Sequence, residues 1–181
     1  RHVAFASTAS NLVANDTNGC DDVFVRDLDL GTTVRVSVAN DEAQANSYSQ
    51  SPDLSADGRF VAFASWASNL ILPAEDSNGT ADVFVRDLVD GTTVRVSVGI
   101  GSVEDQGPYD SDYPAISDDG RYVAFQSAWD FVGGHPEHGT GIFVRDRVAG
   151  TTIEASLASD ESEGVGTNTG MAAISGDGTR V

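Results

Sequence analysis

The chain has 181 residues, 40% of them hydrophobic and 21% charged, which is long enough for a buried core and holds no apolar run of the roughly 20 residues that a membrane-crossing helix needs. Its formal charge is −18, and all 10 basic residues are arginine, so phosphate backbones and anionic lipid surfaces are repelled. Nucleic-acid binding and membrane insertion are therefore not expected, whereas cations and basic protein surfaces are compatible partners. Cys20 stands alone, which excludes an internal disulfide and a cysteine-built zinc site.

In chain order the first predicted element is the apolar run Arg1–Phe5 (RHVAF), followed by Asp22–Leu28 (DVFVRDL) and Gly31–Val38 (GTTVRVSV). The phrase Ser51–Gly58 (SPDLSADG) then leads into Asp57–Phe63 (DGRFVAF), and DVFVRDL and GTTVRVSV return at Asp82 and Gly91. A third round reads Tyr113–Gly120 (YPAISDDG), Asp119–Phe125 (DGRYVAF), Ile142–Val148 (IFVRDRV) and Gly150–Leu157 (GTTIEASL). A fourth begins with Met171–Gly178 (MAAISGDG) and Asp177–Val181 (DGTRV). Equivalent residues lie 58 to 62 apart, the mark of a repeat architecture with four short phrases per copy.

Each phrase is rich in β-branched and aromatic residues and bounded by Asp-Gly or Gly-Thr-Thr, so each repeat reads as four antiparallel strands, A to D. In the second copy these are about Pro52–Ser55, Arg59–Ser65, Asp82–Leu88 and Thr92–Val98. The apolar runs scarcely alternate, which suits sheets covered on both faces, as stacked blades are. The predicted fold is all-β: a β-propeller segment of about three four-stranded antiparallel blades in an incomplete ring. The blades are 1–50 (lacking its first strand), 51–112 and 113–170, with 171–181 opening a fourth. Because the chain starts and stops at the same point of the repeat, it is expected to be a piece of a larger ring or half of a two-chain ring, with open blade faces that invite self-association.

The A–B connections are tight Asp-Gly turns and the C–D connections are tight turns (Val-Asp-Gly in the second copy), whereas the B–C and D–A connections are long. An antiparallel sheet should place all long loops on one side. That side is expected to carry the surplus acid (Asp16, Asp21, Asp41, Glu42, Glu75, Asp76, Glu104, Asp105, Asp110, Asp112, Glu137, Asp160, Glu161 and Glu163) and to bind a protein or carbohydrate ligand.

Ser55-Ala56-Asp57-Gly58, Val61-Ala62-Phe63 and Val83-Phe84-Val85-Arg86-Asp87, with their counterparts, resemble the WD-like propeller repeats of the TolB family. The resemblance covers essentially the whole chain. It implies a propeller fold and a role as a periplasmic or extracellular interaction platform, or as the accessory domain of an enzyme such as a prolyl-oligopeptidase-type peptidase.

No nucleophile elbow, zincin motif, P-loop or dinucleotide fingerprint occurs, so the chain is not expected to be an enzyme. The recurring pairs Arg26-Asp27, Arg86-Asp87 and Arg145-Asp146 read as contacts that every blade repeats. The loops Asp16-Thr-Asn18-Gly19-Cys-Asp21-Asp22 and Asp76-Ser-Asn78-Gly79-Thr-Ala-Asp82 match the tail of a calcium loop, with Ala14 and Ala74 where its first carboxylate belongs. Asp16, Asn18, Asp22, Asp76, Asn78 and Asp82 are thus candidate calcium ligands; the alternative is an Asx-type turn leading into strand C. His135, Glu137 and His138 are weaker metal candidates, with no copy in the other blades. Asn15 and Asn78 head glycosylation sequons.

Overall fold

The computed structural model describes residues 1–72, 76–99, 107–133, 139–159 and 171–181, which contain eleven strands and no helix. β1 (His2–Ser7), β2 (Asp22–Asp27) and β3 (Thr32–Arg35) form one sheet. β4 (Ser49–Leu54), β5 (Phe60–Ser65), β6 (Asp82–Asp87) and β7 (Thr92–Arg95) form the second. β8 (Ser111–Ile116), β9 (Tyr122–Ser127), β10 (Gly141–Asp146) and β11 (Thr151–Glu154) form the third. Each is an antiparallel meander in chain order, and no sheet closes on itself. The molecule is an all-β, incomplete propeller whose blades are these sheets.

The central blade explains the unbroken apolar runs. Val61, Phe63 and Phe84 point toward the first sheet and pack with Val23, Val25 and Val36. Ala62, Val83 and Val85 point the other way and pack with Ile116, Val123, Phe125 and Phe143. A strand buried on both faces can place an apolar residue at every position, and all six residues of β6 are buried. Phe5–Phe24, Phe63–Phe84 and Phe125–Phe143 face one another across strands B and C, with ring centroids 5.8, 5.9 and 6.0 Å apart.

Strand A departs from the prediction. β4 begins at Ser49, three residues before Pro52, and its register slips between Gln50 and Asp53; β8 repeats the slip between Asp112 and Ala115. Ser51 and Tyr113 take φ of 53° inside these bulges, each followed by a proline. The bulge lies on an edge strand, where a proline forfeits no ladder hydrogen bond. Strand D ends at Arg95, short of the expected Val98, because the Ser97 hydroxyl rather than a main-chain oxygen accepts the Val83 N–H at 3.0 Å.

Blades are joined by a repeated latch. The Asp-Gly turn between strands A and B holds glycine at φ of 74°, 71° and 71° (Gly58, Gly120 and Gly178), and each glycine lies flat against a ring of the preceding blade: His2, Phe60 and Tyr122. Ala56 N–H donates to Asp118 O at 3.1 Å and Asp118 N–H to Gly176 O at 2.9 Å, so the main chains of successive turns are linked as well. Nearer the rim, the Thr93 and Thr152 hydroxyls donate to Val38 O and Val98 O of the blade before, at 2.6 and 2.7 Å.

Candidate functional site

The Arg-Asp pairs act within the scaffold. Asp87 Oδ1 accepts the N–H groups of Val89 and Asp90 and thereby shapes the C–D turn, while Arg59 grips the same carboxylate through Nε and Nη2 at 2.9 and 2.6 Å. Asp146 repeats this with Val148, Ala149 and Arg121. These contacts hold the Asp87 carboxyl down at about 2, the Arg59 hydrogen bond being the largest cause, and hold Asp146 well below the usual carboxylate range through Arg121. Arg86 donates to Thr93 Oγ1 on strand D and to Ala39 O of the preceding blade, both at 3.2 Å.

The candidate calcium loops fold into networks that already contain a cation. Asp16 Oδ1 and Asp22 Oδ2 both accept from Gln44 Nε2, at 3.0 and 3.2 Å, and lie 3.5 and 3.4 Å from the buried Arg35 guanidinium. Asn18 turns its NH₂ toward Asp22 (3.2 Å) and Ala45 O (3.0 Å), while its oxygen accepts the Cys20 N–H. Asp22 Oδ1 accepts from Ser37 at 2.6 Å. The second loop repeats the plan: Asn78 Nδ2 donates to Asp82 and to Gly107 O, Ser97 donates to Asp82 at 2.7 Å, and Arg95 Nη1 lies 3.5 Å from Asp82. Burial pushes the Asp76 carboxyl up, and pushes Asp82 up to about 6 against the pull of Ser97 and Arg95.

All six candidate ligands are thus gathered in two clusters, but each asparagine presents donors where a metal needs oxygen. Among the described residues no three His, Cys, Asp or Glu side chains are placed to hold a metal ion together. In the third blade Gly141 stands at the Asp22/Asp82 position and Glu154 at the Arg35/Arg95 position. A Cβ at Gly141 would lie 3.2 Å from Glu154 Oε1, so the carboxylate arrives from strand D instead of strand C. Ser156, the counterpart of Ser37 and Ser97, donates to it at 3.0 Å. His135, Glu137 and His138 lie outside the described residues, as do Glu75, Glu104, Asp105, Asp160, Glu161 and Glu163.

One part of the acidic-face expectation is corrected. Glu42 pairs with Arg86 and sits beside Gly91 in the C–D turn of the next blade, so this stretch, which includes Asp41, reaches the tight-turn side. The D–A connection passes that rim before returning to the long-loop side at Gln44–Tyr48. There it is zipped to the next B–C loop: Asn46 N–H donates to Asn69 Oδ1 (2.9 Å), Asn46 Nδ2 to Ser68 Oγ (3.0 Å), and Asn69 Nδ2 to Gln44 O (2.9 Å).

Beside this zipper lies a recess of about 480 Å³ lined by Ser47, Tyr48, Gln50, Trp66 and Gly79. Trp66 N–H donates to Tyr48 O at 3.0 Å, so the two aromatic residues are fixed to each other through the main chain. Tyr48 is 52% exposed. Gln50 reaches Asp112 of the next blade at 3.5 Å. In the third blade the aromatic pair is displaced by one residue in each partner. Tyr109 stands where Ser47 does and Trp129 where Ala67 does, and their rings meet at 6.4 Å with Trp129 lying over Gly107. No motif in the sequence marks this recess; the register shift of the Tyr and Trp between repeats is the signal that points to it.

The arrangement of sheets has solved counterparts. TolB from Agrobacterium tumefaciens matches 84% of this chain with 18% identity and a TM-score of 0.51. The fold is that of a TolB-like β-propeller segment. The tricorn protease matches 87% of the chain with 15% identity and a TM-score of 0.50. The segment spans 44% of that TolB chain and 12% of the tricorn chain. No family model matches the propeller segment, and no curated protein does.

Proposed function

We propose that this propeller segment is a non-catalytic platform that holds a protein or carbohydrate ligand on its long-loop side. The observation that carries the reading is the zipped pair of loops at Gln44–Tyr48 and Trp66–Leu70, which keeps an aromatic-walled recess open on a rigid scaffold. The recurring carboxylates Asp87 and Asp146 are held by arginines and turn amides, which suits a scaffold role.

The test is a blocking experiment in a Cys20→Ser background. Peptides selected from a random display library against the immobilised segment are challenged after a polyethylene-glycol maleimide is attached at Ser47→Cys or at Val89→Cys. Loss of binding only with the Ser47 label supports the long-loop side; loss only with the Val89 label assigns binding to the tight-turn side and overturns the reading.

A second reading, an accessory propeller within a peptidase, is favoured by the tricorn likeness. The flanking coding sequence decides it: a hydrolase domain supports it, and further blades alone refute it. An activity of the larger protein that is abolished by substituting a residue within 1–181 without loss of folding would overturn the non-catalytic reading.

A further inference from the structure

We infer that the Tyr48–Trp66 recess receives a guanidinium group, that of an arginine in a basic partner segment. The inference rests on the reading of the long-loop side as the binding side and names what that side recognises.

Three observations carry it. First, the aromatic pair here is arranged unlike its repeat counterpart: the Tyr109 and Trp129 rings meet at 6.4 Å with Trp129 against Gly107, whereas Tyr48 and Trp66 line a recess of about 480 Å³. Second, the molecule shows how it handles aromatic faces elsewhere. Arg59 and Arg147 stand over the Phe60 ring at 4.9 and 4.6 Å, and Arg121 over Tyr122 at 4.8 Å. Among the described residues no arginine of the chain reaches Tyr48 or Trp66 in this way, so a guanidinium from outside would complete a pattern the fold already uses. Third, the charge selects the occupant. The chain carries −18, and Gln50 on the wall is backed by the Asp112 carboxylate at 3.5 Å. An anionic ligand is repelled there, a neutral sugar is indifferent to the field, and a cation is drawn in. Arginine suits the site better than lysine because its flat face stacks on a ring while its edge N–H groups donate to the Gln50 and Ser47 oxygens.

The experiment is an NMR titration of the Trp66 indole N–H, assigned by its loss in Trp66→Phe. The probe is the peptide acetyl-Gly-Ser-Arg-Ser-Gly-amide, compared with the same peptide carrying uncharged citrulline for arginine, and with maltotriose. The expected result is a saturable shift with the arginine peptide, binding about tenfold weaker for the citrulline peptide and for Tyr48→Ala, and weakening as salt is raised. Because the Tyr48 side chain is half exposed, the variant should melt with the parent protein. Equal binding of the citrulline peptide, no effect of Tyr48→Ala, or a Trp66 shift with maltotriose but not with the arginine peptide overturns the inference. If peptides from the display library still depend on an open Ser47 while Tyr48→Ala changes nothing, the guanidinium site alone fails and the long-loop reading stands.

Discussion

Gly120 shows how much one hydrogen atom in place of a methyl group can hold together. Its φ of 71° is one that alanine adopts only with strain, and an added Cβ would also collide with the Phe60 ring of the blade before. Gly79 has the same backbone conformation (φ 72°) but open space around it. Gly79→Ala should therefore cost about 1 kcal/mol, the conformational part alone, and Gly120→Ala about 2–4 kcal/mol, in urea denaturation. Equal costs would show that the latch contributes no packing. Asp82 offers a second test. Its folded carboxyl titrates at about 6 against an ordinary 3.8, so the folded state binds the proton more tightly than the unfolded chain. Stability should then rise by about 1 kcal/mol as pH falls from 7 to 5, and this rise should shrink in Asp82→Asn. Asp57, Asp87 and Asp119 act oppositely: their lowered carboxyls, held first by Ser55, Arg59 and Ser117 respectively, stabilise the fold above the ordinary carboxylate range and lose that contribution in stronger acid. The melting temperature should pass through a maximum between about pH 4 and 6. The Asp-Gly turns could be read from their residues alone, because the turn chemistry is local. The counter-charges Arg35 and Arg95 could not, since they lie 13 residues beyond Asp22 and Asp82, inside phrases that announce only a strand.

Among the elements, strands B and C were the most legible, since their apolar stretches Phe60–Ala64 and Val83–Val85 run without alternation, as sheets covered on both faces allow. Strand A was the least legible. Ser49-Gln50-Ser51 carries no apolar signal, and the bulge that follows is fixed by contacts with the next blade, such as Ile116 N–H on Asp53 Oδ2 at 2.7 Å. The bulge makes its own prediction. Tyr113 is 42% exposed at a φ of 53°. Tyr113→Gly should be neutral or stabilising by up to about 1 kcal/mol, because it relieves the left-handed backbone and gives up little packing; a larger loss in urea denaturation would mean that the ring is held. The Asp-x-Asn-Gly loops make another. With Arg35 and Arg95 already beside the carboxylates, calcium or a chelator should leave the melting temperature unchanged within about 2 °C. A larger calcium-dependent rise would require the arginines to leave and would restore the calcium-loop reading.

At the scale of the molecule, one repeat position reports what covers each blade. Val61 and Val123 are fully buried, whereas Val3, their counterpart in the first sheet, is 45% exposed. That apolar face has the composition of a blade interface without a blade against it. Light scattering of the 181-residue chain should show concentration-dependent association, reduced by Val3→Glu; a monomer at all concentrations would refute it. The blade-to-blade latch has a wider consequence. Glycine on one side and an aromatic ring on the other make each joint polar, so the blades can follow one another in a single direction only. A gene could gain or lose a whole period of about 60 residues and leave every surviving joint chemically as it was, whereas a break inside a period would separate a turn from the strands it caps. Growth by copying is therefore built into the joint itself, and specificity is left to the exposed side chains of the long loops.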